Sequence, residues 1–178
     1  MHNEPWQVYA ENGASLNYSA TRQEFAEDES MIMGASHVWL WRRGESGIEV
    51  LLQKRATSNA TWPGYYDVSV AGHIDGGESP IGAAVREAKE EIGIDINADT
   101  LHYLFSLRTP LTPNEINHVY TLEIDMDFTP KFDDGEVELV EWIPLDAYKS
   151  RVANPVRYNM INQGRGYFTL LIDYLDTL

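Results

Sequence analysis

The feature that most restricts this chain is the stretch GHIDGGESPIGAAVREAKEEIGI, residues Gly72 to Ile94. Gly72, Glu78, Arg86, Glu87, Glu90, Glu91 and Gly93 fall in the pattern G-x5-E-x7-R-E-x2-E-E-x-G. At an average usage of roughly 5–7% per position, seven such matches coincide on the order of 10⁻⁹ times per starting position. Ser79 and Pro80 read as the N-cap and first residue of a helix. Ile81, Ala84, Val85, Ala88 and Ile92 then recur at three- and four-residue steps and predict one apolar stripe. Glu87, Glu90 and Glu91 lie on the flank of that stripe, close enough to repel one another. A hard divalent cation such as Mg²⁺ or Mn²⁺ removes that conflict, because it takes carboxylate oxygens and bridges to phosphates. Gly93 is expected to end the helix in the left-handed conformation.

The rest of the chain sets limits. With 178 residues, 43% of them hydrophobic, a single domain with a full core is expected. No apolar run is long enough to span a membrane. The opening MHNEPWQVYAENG lacks a basic segment followed by an apolar one, so no signal peptide is expected and a cytoplasmic location is the default. Zero cysteines exclude disulfides and thiol chemistry. A formal net charge of −15 argues against nucleic acid as a partner. A small phosphorylated substrate remains compatible, since bound metal and a few local cations reverse the field inside a cleft.

Strands are expected at Ser36–Arg42, Ile48–Lys54, Asp67–Ala71, Tyr103–Arg108, His118–Ile124 and Glu138–Ile143. Besides the Ser79–Gly93 helix, helices are expected at Leu145–Arg151, Asn154–Asn162 and Phe168–Leu178. Strands mixed with helices in this order predict an α/β fold with a mixed sheet covered on both faces.

The seven-residue pattern is the Nudix box, and the chain resembles a Nudix diphosphate hydrolase. Ala88 departs from the box, standing where a larger aliphatic residue is usual. The resemblance implies an α/β/α sandwich around a central mixed β-sheet: one domain over residues 1–178, with an N-terminal strand or hairpin extension to about residue 35, the box at 72–94 and C-terminal helices over about 145–178. It also implies that Glu87, Glu90, Glu91 and the Gly72 carbonyl hold the metal, while Glu78 pairs with Arg86 to brace the loop against the helix.

A second resemblance covers more of the chain. VYAENGASLNYSATRQEF, HVWLW, LLQKRA, WPGYYDVSVAGH and GEVELVEWIPL are similar to the Nudix branch containing isopentenyl diphosphate isomerase. In that enzyme the slot of Ala71 is a cysteine that transfers protons, and its box lacks the equivalents of Glu87 and Glu90. Alanine can neither donate nor accept a proton, so the resemblance favours hydrolysis at phosphorus. His37 and His73 match metal-binding histidines of the isomerase and are possible additional ligands, with structural roles also open. A third metal-binding histidine is Ser30 here. Glu115 matches an isomerase glutamate and is a candidate metal ligand or base. Arg55 matches a diphosphate-binding arginine, with Lys54 as the weaker candidate, and the isomerase's assisting lysine is Asn59.

The expected chemistry is therefore metal-assisted attack of water on a small-molecule diphosphate, such as a nucleoside diphosphate or its conjugate. Glu87, Glu90 and Glu115 are the candidate catalytic residues, with Glu87 or Glu115 as proton acceptor. Trp62, Tyr65 and Tyr66 are open between stacking on a base and packing in a loop. The alternatives are an isomerase-like enzyme and a non-catalytic binding module. Monomer and homodimer both remain open.

Overall fold

The computed structural model of the protein describes residues 4–132 and 135–178. Its spine is one long strand, β3 (Ile32–Gly44), whose alternation sorts the core into two layers. Val38 and Leu40 face one side and join Leu51, Val70, Ala84, Ala88 and Ile92. Trp39 and Trp41 face the other and join Val50, Leu52, Tyr148, Phe168, Leu171 and Leu175. A strand buried on both faces in this way needs helices above and below it.

β8 (Glu115–Glu123) runs parallel along one edge of β3 from Met33 to Trp41. The opposite edge is divided among β1 (Trp6–Tyr9), β6 (Val70–His73) and β4 (Gly47–Arg55). β2 (Ser15–Ala20) extends β1; β7 (His102–Arg108) extends β8; β5 (Tyr66–Asp67) and β9 (Val137–Pro144) both pair with β4. Helix α2 (Pro80–Ile92) covers one face of this mixed sheet, while α3 (Leu145–Ala153) and α4 (Arg165–Leu175) cover the other. The expected α/β/α sandwich is what the chain adopts. Among the described residues no helix is long and apolar enough to cross a membrane.

The caps of α2 match their sequence signals. Ser79 Oγ accepts from Gly82 N–H at 3.1 Å, and Gly93 sits at φ 69°, ψ 24°. Ala83, Ala84 and Ala88 are fully buried, so a helix with small residues lies close on β3 and β6.

Four expectations change. The strand expected at Asp67–Ala71 is two strands, because the chain leaves β4 after Asp67 and rejoins the sheet against β3 at Val70. The helix expected at Asn154–Asn162 is a run of turns. There Asn159 takes φ 49°, and its carbonyl and the Ile161 N–H bond to Tyr66 at 2.7 and 2.9 Å, which pins the segment to a strand end. The N-terminal extension is a β1–β2 hairpin followed by a short helix, α1 (Arg22–Glu27), opened by a Thr21–Glu24 capping box. Glu115, expected ahead of a strand starting at His118, is the first residue of β8.

Candidate functional site

Gly72 is where the box and the sheet meet. A Cβ there would lie 1.9 Å from Glu87 Cδ and 2.0 Å from Glu87 Oε1, so the carboxylate of Glu87 occupies the space a side chain would fill. Glu91, from the next turn of α2, is buried. Its Oε2 accepts from Ala71 N–H at 3.0 Å and lies 3.3 Å from Gln53 Nε2. Glu90 is the exposed member, its side chain 39% accessible.

Arg86 ties these groups together. Its Nε and Nη2 donate to the two oxygens of Glu78 at 3.2 and 2.9 Å, and Nη2 also donates to the His73 carbonyl at 2.9 Å. Its Nη1 donates to Glu87 Oε1 at 2.7 Å and to Glu90 Oε2 at 3.2 Å, and Asp75 lies 3.6 Å from Nη2. Desolvation pulls the guanidinium pKa down, but the hydrogen bonds to Glu78 and the charge of Glu87 more than reverse this and hold it raised.

The carboxylates respond to the same field. Burial raises Glu87 against the lowering effect of Arg86, with Glu90 adding repulsion. Burial and then the Glu87 charge push Glu91 well above the usual carboxylate range, against the Ala71 N–H. A half-buried Glu87 and a buried Glu91, both raised first by desolvation and then by a neighbouring carboxylate, are short of positive charge. Among the described residues no three His, Asp or Glu side chains converge into a ready metal cage; Nη1 of Arg86 stands between Glu87 and Glu90. Hard oxygen donors, a notch at Gly72 and this charge deficit fit a divalent cation that would replace one cationic contact with another.

The histidines and Glu115 sit differently. Register pairs Gly72 with Ser36 on the α2 side of the sheet, whereas His73, Ala71 and Glu115 pair with Ala35, His37 and Met33, whose side chains point the other way. His73 stacks on Trp6 with ring centroids 3.8 Å apart and places Nε2 3.6 Å from Glu115 Oε2. Burial would raise the Glu115 carboxyl, but His73, then His37 and the Thr112 hydroxyl outweigh it and hold it below the ordinary value. His37, a possible additional ligand from the isomerase resemblance, is not brought to the box glutamates. It is buried on the α4 side, where its Nδ1 lies 2.9 Å from the Tyr167 hydroxyl. That hydroxyl accepts from Trp39 Nε1–H at 2.8 Å, so its own proton is assigned to His37 Nδ1 and the ring proton to Nε2. Burial lowers the His37 pKa and keeps the ring neutral near pH 7, with Nδ1 engaged by Tyr167.

The phosphate candidates are already engaged. Lys54 Nζ lies 2.7 Å from Glu138; Arg55 donates from Nε to the Thr61 carbonyl at 3.1 Å and has Nη1 3.5 Å from Asp67. Asn59 binds the Glu136 carbonyl. Trp62 is 42% exposed at φ 51° and packs edge-on against Tyr65, while Tyr66 lies under Arg151.

Gln53 and Asp67 were missed by sequence reasoning. Gln53 had a signal, since it continues the alternation of Glu49 and Leu51 onto the α2 face as a buried polar residue. Asp67 had none, because its burial depends on the break between β5 and β6.

A family profile described as NUDIX domain matches residues 32–163. Nudix hydrolase 3 of Arabidopsis thaliana is 29% identical over 160 residues, which is 84% of this chain and 20% of that protein. The isopentenyl-diphosphate Delta-isomerase of Rhodobacter capsulatus is 32% identical over 117 residues, 63% of this chain and 66% of the isomerase. The chain thus spans about a fifth of the first relative and just under two-thirds of the second. The solved structure of DR0079 from Deinococcus radiodurans superposes with a TM-score of 0.69 at 22% identity, covering 98% of both chains, and shares the fold.

Proposed function

The chain belongs to the Nudix family, and from that premise we propose that it is a divalent-cation-dependent hydrolase cleaving a diphosphate linkage in a nucleoside diphosphate or a related X-linked diphosphate. The observation that carries this reading is the seating of Glu87 in the space above Gly72, beside a buried Glu91 and an exposed Glu90, with Arg86 as the cationic partner of Glu87 and Glu90. These are hard oxygen donors at the end of the sheet, and burial has raised the Glu87 and Glu91 carboxyls.

Glu87, Glu90, Glu91 and the Gly72 carbonyl would hold the cation, Mg²⁺ or Mn²⁺. When bound, the cation supplies neutralisation of phosphoryl oxygens and a lowered pKa for a nearby water. The remaining work falls to the protein's own side chains. Glu87 and Glu115 are the two candidates for taking the proton of the attacking water. Glu87 is the better acceptor, because burial raises its pKa while His73 holds Glu115 down. Arg86 keeps Glu78 and the His73 carbonyl as its anchors, so the loop and helix stay in register while its second guanidinium nitrogen faces the reacting region. Arg55, with Lys54 as the weaker candidate, would stabilise charge on the departing phosphate by exchanging its contact with Asp67.

Isomerase chemistry is disfavoured at the matched position. Ala71 pairs with His37 and offers no titratable group, and His37 itself is held by Tyr167. A screen of diphosphate compounds with Mg²⁺ and Mn²⁺, identifying both products, tests the proposal. Phosphate or phosphomonoester release that disappears in excess EDTA and in Glu90→Gln is the expected result. Undiminished turnover in EDTA would overturn it, as would interconversion of isopentenyl and dimethylallyl diphosphate by the unmodified protein.

A further inference from the structure

The N-terminal hairpin lies outside residues 32–163, yet it is bonded directly to the loop that carries Glu78. Gln7 N–H donates to the Ile74 carbonyl at 2.8 Å, and Gly76 N–H donates to the Pro5 carbonyl at 2.8 Å. Trp6 is bridged to Asp75 and stacked on His73. Between these contacts the box loop makes a tight turn, Asp75–Glu78, closed by Glu78 N–H on the Asp75 carbonyl at 2.9 Å with Gly77 at φ 81°. That is the geometry of a type II turn, in which the N–H of the third residue finds no acceptor inside the turn. The acceptor here is the side chain of Gln7, whose Oε1 receives Gly77 N–H at 2.9 Å.

The other end of the same amide is anchored as firmly. Gln7 is 4% exposed, and the two hydrogens of its Nε2 are shared among the carbonyls of Val8, Leu16 and Tyr18. A single buried amide therefore spans from both strands of the hairpin to the turn, which in turn sets where Glu78 meets Arg86. Gly76 fixes the approach, since a Cβ there would lie 2.6 Å from Ser19 Oγ.

We propose that Gln7 is a positioning residue for the box: through Gly77 it holds the Asp75–Glu78 turn, and through Glu78 and Arg86 it sets the placement of Glu87 and Glu90. The link to metal binding rests on the hydrolase reading above, whereas the brace itself does not. Gln7→Met keeps side-chain length and burial but removes every hydrogen bond of the amide; Gln7→Asn keeps an amide one methylene too short to reach Gly77 and serves where the methionine variant does not fold. Two readouts are taken on the full chain: amide hydrogen exchange of Gly77 beside the amides of α2, and Mn²⁺ affinity from the spectroscopic signal of free Mn²⁺. Faster exchange at Gly77 with α2 still protected, together with Mn²⁺ binding weakened by about 5- to 10-fold, is expected, because of the amide's contacts only the bond to Gly77 acts on the box, and one ordinary hydrogen bond is worth about that factor. Unchanged exchange at Gly77 would overturn the brace. A released Gly77 with Mn²⁺ affinity within about twofold of the parent would overturn the coupling to the metal site. If the unmodified protein binds no Mn²⁺, the hydrolase reading fails, and exchange at Gly77 decides the brace alone.

Discussion

Gly72→Ala separates the requirements of the fold from those of the site. The new Cβ would fall 1.9 Å from Glu87 Cδ and 2.5 Å from Cγ, and ordinary contact begins at 3.4 Å, so the carboxyl must retreat by about 1.5 Å. The backbone at Gly72 is not left-handed, so alanine brings no conformational strain there. What gives way is a side chain that can swing. The cost is at most the charge-assisted bond from Arg86, about 1.5–3 kcal/mol. A stiffer unfolded chain returns about 0.4–1 kcal/mol of this. A net loss of up to about 2.6 kcal/mol lowers Tm by no more than about 10 °C in a chain of this size. Activity should suffer far more, because a misplacement near 1 Å of a reacting group costs about 10²-fold. Thermal melts beside turnover of the substrate found in the diphosphate screen provide the assay. Gly166→Ala is the control, since a Cβ there meets nothing within 4 Å and should leave both readouts near the parent. Turnover of Gly72→Ala within about threefold of the parent would refute the argument, because Glu87 would then function without the seat that glycine provides.

Glu91→Gln should remove turnover yet stabilise the metal-free protein: its folded pKa is raised, so the carboxyl costs little while protonated and progressively more as pH rises through that value. In EDTA, parent and variant should therefore melt alike near about pH 5 and diverge in favour of the variant by about pH 8; parallel curves would contradict the burial argument, and added Mg²⁺ should narrow the gap through the parent alone. Arg86→Ala leaves Glu78 and Glu87 without their cation and should cost about 2–3 kcal/mol, below the roughly 3–5 of a fully buried pair because the guanidinium is 21% exposed. Denaturant unfolding with an unchanged midpoint would show that the brace contributes nothing.

The elements readable in sequence are those whose signals are local. The α2 helix carries its cap at Ser79, its stop at Gly93 and its apolar stripe within one stretch, so neither end needed a partner to define it. Strands β3 and β4 were legible because alternation and β-branched or aromatic residues act over a few positions. The 154–162 segment failed for the opposite reason. Val156, Met160 and Ile161 imitate helical spacing, but Met160 and Ile161 are buried by pairing with Tyr66, nearly a hundred residues earlier. Likewise, nothing between Asp67 and Val70 announces a change of partner, since the decision belongs to β3, long enough to offer β6 an edge beyond the reach of β4.

The same division runs through the candidate site. Spacing placed Glu87, Glu90 and Glu91 on one flank of a helix, a one-dimensional pattern, and the resemblance to the Nudix box added Glu78 and Arg86 as its brace. The reason Gly72 must be glycine lies in the third dimension, where its missing side chain makes room for Glu87. Sequence likewise could not tell that His37 spends its nitrogen on Tyr167, 130 residues away, or that Gln7 reaches Gly77 across 70. A helix face is written by neighbours in the chain, whereas burial and hydrogen-bond partnership are assigned only when distant segments compete for the same space.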